Sequence, residues 1–461
     1  MEKVMKIIEK MGLALLVIGF LGLIVPGLEA ATIKVNCNKG ESVQSALDSL
    51  TGPATIVVKG TCYENIDIRK DDVTIQGGTY RTPTPSDPKK STIVVQGARR
   101  VLITGGAIVQ NASYFGVVVN QSGSLSLDNV TVENSTSNGL SAAENSALFV
   151  TNSTIQGNGK SGVVVSGSSS ARIGQDISGN RGKNTIQNNG GHGVAVLRAS
   201  SALIDGNDII DNLVCGVWIE GASGTVINNE ILRNHYKGVN VSSSSHARIG
   251  VNDSSEAGPN HIAGNFLEGI QSGNGGAAYI YGNTIENNGY GDSPGRAGVS
   301  ISRATGRLLG GNIIRGNAGR AVEVVQGALF QGVGDFFKST PPRDEIIDNT
   351  TDGILAWNSA SLDLQSVNIT NNHENGIQVS LNSSLRIYDA TVSGNHLNGI
   401  LLWDGSSVAR YSFDSPRDTI RVNSGWGIIC NSNSHLVGGT GNSGVSGNSG
   451  GQVNCPEFHD P

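Results

Sequence analysis

The chain has 461 residues, 64 of them Gly, with a formal net charge of -6. Gly, Asn and Ser at this density exclude a mainly helical fold, because these residues favour turns over helix interiors. Mild acidity with no basic stripe excludes nucleic acid as a partner, while dense Ile/Val alternation leaves enough apolar side chains for a core.

In chain order, residues 1–30 read as an export signal. Lys3, Lys6 and Lys10 precede an apolar run over residues 12–25, and Ala30 supplies a small residue at the cut. The run is short for a bilayer, so no membrane span is expected after signal removal, and the mature protein is expected to be secreted, periplasmic or on the cell surface. Residues 31–91 read as a cap and first coils. Within them, residues 42–50 form a short amphipathic helix with Val43, Ala46, Leu47 and Leu50 on one face. Strands follow at Thr55 to Val58 and Val73 to Ile75.

From residue 92 to 450 a two-beat refrain returns about every 23 residues by the repeat-reading rule. Its first beat is Asn-x-Ile-x-x-Asn, as in Asn184 to Asn189, Asn207 to Asn212 and Asn229 to Asn234. The closing Asn falls at 111, 158, 189, 212, 234, 265, 288, 317, 349, 372, 395, 423 and 448, with Ser135 in the gap. The second beat begins with Gly at 116, 139, 162, 193, 216, 238, 269, 298, 353, 376, 399 and 427, with Ala321 as a substitute. A repeat of this size predicts a solenoid whose unit cannot fold alone. Each coil is expected to carry three short strands. In Gly216-Val217-Trp218-Ile219-Glu220, alternation turns Val217 and Ile219 inward and Trp218 and Glu220 outward. Stacking then makes an apolar column inside and an Asn column at one bend, and the Gly beat provides a positive φ or a close approach at another.

Residues one coil apart stack at about 4.8 Å, within disulfide reach. Two bridges are therefore expected, Cys37–Cys62 at the entry and Cys430–Cys455 pinning the tail at 451–461, with Cys215 left as a packed thiol. Enlarged loops at 175–183, 251–259, 331–343 and 412–417 return every third coil between the second strand and the Asn beat. They read either as traces of a duplicated block or as ridges that register an extended partner.

These residues resemble the right-handed parallel β-helix repeat of the pectate-lyase-like superfamily. The resemblance implies an all-β solenoid of about 14–16 coils with a short N-terminal capping helix, and a binding groove on the first-strand face. Activity motifs of that superfamily are mostly missing. Of the polygalacturonase-type pattern only Gly191-His192-Gly193 stands, and Gly193 already belongs to the refrain. Neither an Asp-Pro-His-Asp run nor a recognisable calcium-bridging Asp cluster occurs.

Two columns carry candidate chemistry. The outward residue before the inward Ile of the third strand is Thr at 131, 154, 185, 284, 391 and 419, but becomes Asp208, Glu230 and His261 in three successive coils. Two carboxylates about 5 Å apart suit an acid and a base for glycoside chemistry, with His261 as a third titratable group; the same set admits a divalent cation, though no cofactor is required. The other column is aromatic. Trp218, Trp357 and Trp403 point outward from first strands, with Trp357 and Trp403 about 10 Å apart, as stacking platforms for sugar rings. The leading expectation is an exported protein that binds an extended polysaccharide, with lyase- or hydrolase-like modification as its enzymatic extension. The rivals are a non-catalytic adhesion solenoid and a periplasmic metal-delivery protein using His235, His373 and His396.

Overall fold

In a computed structural model, residues 30–83, 87–291, 295–333, 342–410, 418–437 and 444–455 are described. The export signal falls outside the described residues apart from Ala30, as do the loop at 412–417, most of the third loop and residues 456–461. Among the described residues, no helix is long and apolar enough to cross a membrane.

The chain winds into parallel coils. Among the described residues, sixteen first strands stack into one continuous parallel sheet, while second and third strands stack alongside as a second sheet. These two strands are continuous in the entry strands Ala54–Tyr63 and Val73–Arg81, and separate further along the chain. Pairing is in register for coil after coil: Val194 lies on Val217, Val217 on Val239 and Val239 on Ile270. Alternation decides burial as expected. Val217, Ile219, Val226 and Ile231 are buried, and the same positions of neighbouring coils extend one apolar core along the axis.

A short helix, Val43–Asp48, closes the entry end, with Val43, Leu47 and the following Leu50 buried on the core. Ser42 caps it by accepting from the Ser45 N–H. Glu64 of the next turn accepts from the Ser42 hydroxyl and from the N–H groups of Val43 and Gln44, placing a carboxylate where the helix end carries partial positive charge. Cys37–Cys62 and Cys430–Cys455 are both bridged, and Cys215 is free and buried.

Two features of the refrain differ from the sequence reading, and a third decides between the two roles it left open for the Gly beat. First, Asn forms two columns, not one, flanking the third strand. The closing column runs from Asn158 to Asn448, and the opening column runs from Asn184 through Asn207, Asn229, Asn260 and Asn283 to Asn312, ending on Asp344. Second, Asn111 is not a rung. It sits at φ 55 and is exposed, while the buried Ala112 occupies the rung position. Third, the Gly beat is a matter of space and not of positive φ. A Cβ on Gly216 would lie 2.5 Å from Cγ2 of Ile231 and 2.8 Å from the Gly238 carbonyl oxygen. Left-handed residues instead precede each closing Asn, as at Asn188, Asp211 and Arg233.

Candidate functional site

The first-strand sheet presents the aromatic face. Trp357 pairs in register with Ser380, one coil from Trp403, and the two indoles are 41% and 45% exposed. Exposing that much apolar surface on a rigid sheet is costly unless a partner uses it. Trp218 is placed differently from its expected open position. It is half-buried, with its ring stacked on His192 at 4.5 Å between centroids.

Beside this pair lies a cavity of about 390 Å³, lined also by Tyr236, Lys237, Asn240 and Gln271. Its rim is the bend residue that precedes each Gly. His192 donates its N–H to Ser161, and its Nδ1 accepts from the Cys215 N–H, so that nitrogen carries no proton. Burial pushes the His192 pKa down to about 4, which keeps the ring neutral above that pH. Burial likewise pushes the Cys215 thiol up to about 12. Lys237 is nearly buried, hydrogen-bonds to Gln271, lies 4.6 Å from the Tyr236 ring centre and stands 3.9 Å from Glu268. Arg296 approaches the same carboxylate at 3.9 Å. A wall of aromatic ring, buried cation and side-chain amides is the composition of a site that orients a polar, ring-shaped ligand.

The third-strand face carries the ionisable column. Asp208 and Glu230 are register partners, as are Glu230 and His261. Each carboxylate is, however, engaged by a nitrogen partner: Lys183 reaches Asp208 at 2.8 Å and Nδ1 of His261 reaches Glu230 at 2.8 Å. Two residues not singled out in the sequence complete the network. Nε2 of His261 meets Glu286 at 3.0 Å, and Glu286 accepts from Arg315 at 2.6 Å. Burial alone would lower the His261 pKa, but its two carboxylate partners outweigh that and raise it. Burial would raise Glu286, but Arg315 and His261 hold it below its ordinary value. Among the described residues the His/Cys/Asp/Glu group with metal-like spacing is Cys37, Cys62 and Glu64, and its two sulfurs are already bonded to each other.

Of the other histidines, His373 and His396 stack at 4.9 Å between ring centres on the exposed edge, and His235 stacks on Phe266 at 6.0 Å. The structure thus brings Asp208, Glu230 and His261 into one column and Trp357 and Trp403 into another, on separate faces. It adds His192, Lys237 and Tyr236 to Trp218. The sequence signal for His192 and Lys237 was the polar residue directly before a Gly, and Tyr236 lies one residue further back.

A family model described as "Right handed beta helix region" matches residues 55–212 and 176–337. The sequence finds no match among curated proteins. Among solved structures, the chain is similar to the periplasmic alginate epimerase AlgG at 14% identity, over 91% of this chain and 83% of that one, with a TM-score of 0.30. It is also similar to the A-module of the Azotobacter vinelandii mannuronan C-5 epimerase AlgE4, at 12% identity over 91% and 93% with a TM-score of 0.26. A third is the tailspike protein of E. coli bacteriophage HK620 in complex with a pentasaccharide, at 13% identity over 85% and 76% with a TM-score of 0.36.

Proposed function

The chain belongs to the right-handed β-helix family, and we propose that it binds an extended polysaccharide along the outer face of its first-strand sheet. The observation that carries this reading is the pair Trp357 and Trp403, exposed in one column two coils apart on a sheet that cannot easily deform. At about 4.8 Å per coil the indoles are about 10 Å apart, the spacing at which alternate rings of a stretched glycan meet them. The cavity beside His192 and Trp218 supports the same reading further along that face, with Lys237 and Gln271 available to a glycan's hydroxyl or acidic groups.

The reading is one of binding before cleavage. Asp208, Glu230 and His261 are the acid–base candidates for any bond-breaking step, but they lie on the other sheet and each is engaged by a charged or ring-nitrogen partner. Export of the protein is part of the proposal. The Lys-rich, then apolar, stretch at 1–30 and two disulfides both suit an oxidising compartment outside the cytosol.

The test is a glycan-array screen of the wild-type protein beside a Trp357→Ala/Trp403→Ala double variant. Both side chains are exposed, so the fold should survive. Binding should fall by about tenfold, as expected for losing two aromatic stacking contacts. A double variant that binds like wild type, or a wild-type protein that binds no glycan, would sink the proposal.

A further inference from the structure

A further cavity lies on the other sheet, over the second strands. It encloses about 600 Å³ between the loops at 175–183 and 251–259. Those loops are one device built twice. Each leaves its strand through a Gly at positive φ, Gly174 at 102° and Gly250 at 91°. A Cβ at these positions would strike the Asp205 carbonyl oxygen at 1.7 Å and that of Tyr281 at 1.9 Å. Each is then locked by the side chain two residues after that Gly. Oδ1 of Asp176 accepts from the N–H groups of Ser178 and Asn180, both at 2.8 Å, and Oδ1 of Asn252 accepts from Ser254 and Glu256 at 3.0 and 2.8 Å. Antiparallel bridges, Gln175 with Arg181 and Val251 with Ala257, close both hairpins. The walls are therefore rigid and stand three coils apart, at about 14 Å.

Between them the floor is small and hydroxylic, with Ser201 and Ser223 in one column and Leu203 and Thr225 in the next. Register puts an arginine at each end of that second column: Arg172, Leu203, Thr225, Arg248. The two guanidiniums differ in partners. Arg248 is matched by Asp253 at 3.0 Å, whereas Arg172 is exposed, touches the Ile177 carbonyl at 3.4 Å and has no carboxylate within ion-pair distance among the described residues. The Ile177 side chain, 63% exposed, gives the same wall an apolar edge. An unmatched guanidinium, a row of hydroxyls and one apolar edge, spaced along a preformed trough, complement a short, elongated ligand with an acidic group and many hydroxyls.

We propose that this trough is a second carbohydrate site, which takes a short anionic oligosaccharide with its acidic group on Arg172. It does not depend on the tryptophan face. Carboxylated and sulfated sugars share the chemistry that Arg172 would recognise, and the probes separate them.

Calorimetric titration of the full chain with tetragalacturonate, tetramannuronate, a chondroitin sulfate tetrasaccharide and neutral cellotetraose tests the idea. At least one acidic probe should bind more tightly than cellotetraose. Arg172→Ala should weaken that binding by about tenfold, the value of one charge-assisted hydrogen bond. The Trp357→Ala/Trp403→Ala protein should keep it, which separates failure here from failure on the first-strand face. Whichever acidic probes bind identify the group as carboxylate or sulfate. The proposal is overturned if no acidic probe binds, if cellotetraose binds equally well, or if Arg172→Ala behaves as wild type. Absence of binding together with a dimer in sedimentation would assign the trough to a second copy, and would also overturn it.

Discussion

Asn189 and Asn212, one coil apart, are joined side chain to side chain. Nδ2 of Asn189 donates to Oδ1 of Asn212 at 2.9 Å, and the backbone N–H of Asn189 reaches the same oxygen at 3.2 Å. The second Nδ2 proton goes to the Ile155 carbonyl at 3.2 Å. Both residues are fully buried, so each amide satisfies its own polar atoms and a backbone N–H of the preceding coil. Asn212→Ala would strand two donors of Asn189 and the Ile186 carbonyl that Asn212 now serves. Buried unsatisfied groups cost about 1–3 kcal/mol each, so a loss of about 3 kcal/mol or more is expected in urea denaturation. A loss within a few tenths would show that the ladder is decoration.

The Gly beat predicts a second kind of damage. Gly216→Ala removes no contact, but its Cβ would sit 2.5 Å from Ile231, 2.8 Å from Nδ2 of Asn234 and 2.8 Å from the Gly238 carbonyl. Neither backbone nor ladder can give way without moving the next coil, so a destabilisation of about 2 kcal/mol or more is expected from overpacking. Thermal unfolding of Gly216→Ala beside Gly206→Ala separates the causes, since Gly206 is at φ 71 with open space around it and would report backbone strain alone.

The periodicity made the fold legible because one rung dictates the next: once Val217 and Ile219 face inward, so do their register partners Val239 and Val241. The error at Asn111 has a physical source. Two adjacent positions favour Asn for different reasons, one for its amide in the ladder and one for its tolerance of left-handed backbone, as at Asn134 and Asn188. Counting Asn cannot tell them apart. The site was less legible. Asp208, Glu230 and His261 were visible as departures from Thr, but Glu286 lies one coil on and two residues along, a diagonal contact that column counting misses. Lys237 and Glu268 occupy a bend, where sequence suggests solvent and the structure shows burial.

The His261 network predicts a pH effect. Its two carboxylate partners raise the folded-state pKa against burial, which acts to lower it. A raised histidine contributes stability in full below its unfolded value and loses it as pH rises through the folded value. Wild type should therefore exceed His261→Gln by more at about pH 5.5 than at about pH 8.5. The difference should stay below about 1 kcal/mol, because the partners are partly solvated. Denaturation of both proteins at the two pH values checks this, and an equal gap at each would count against the network.

Asp344 ends the opening Asn column and gives the opposite sign. Its Oδ1 accepts from the N–H of Asn312 at 3.0 Å and from Nδ2 of Asn312 at 2.7 Å, as an Asn would. It is fully buried, and burial pushes its pKa up to about 7 against those hydrogen bonds. A carboxyl raised in the fold binds its proton more tightly folded than unfolded. Stability is thus lost as pH climbs from the ordinary Asp value, about 3.9, toward the folded value, and little more is lost beyond it. Asp344→Asn keeps the acceptor and removes the charge, so it should be more stable than wild type at about pH 8, with an advantage that shrinks toward about pH 4. Urea midpoints of the two proteins across that range decide it. A variant less stable at the alkaline end would mean that the Asp344 carboxylate is held by favourable interactions that outweigh its burial.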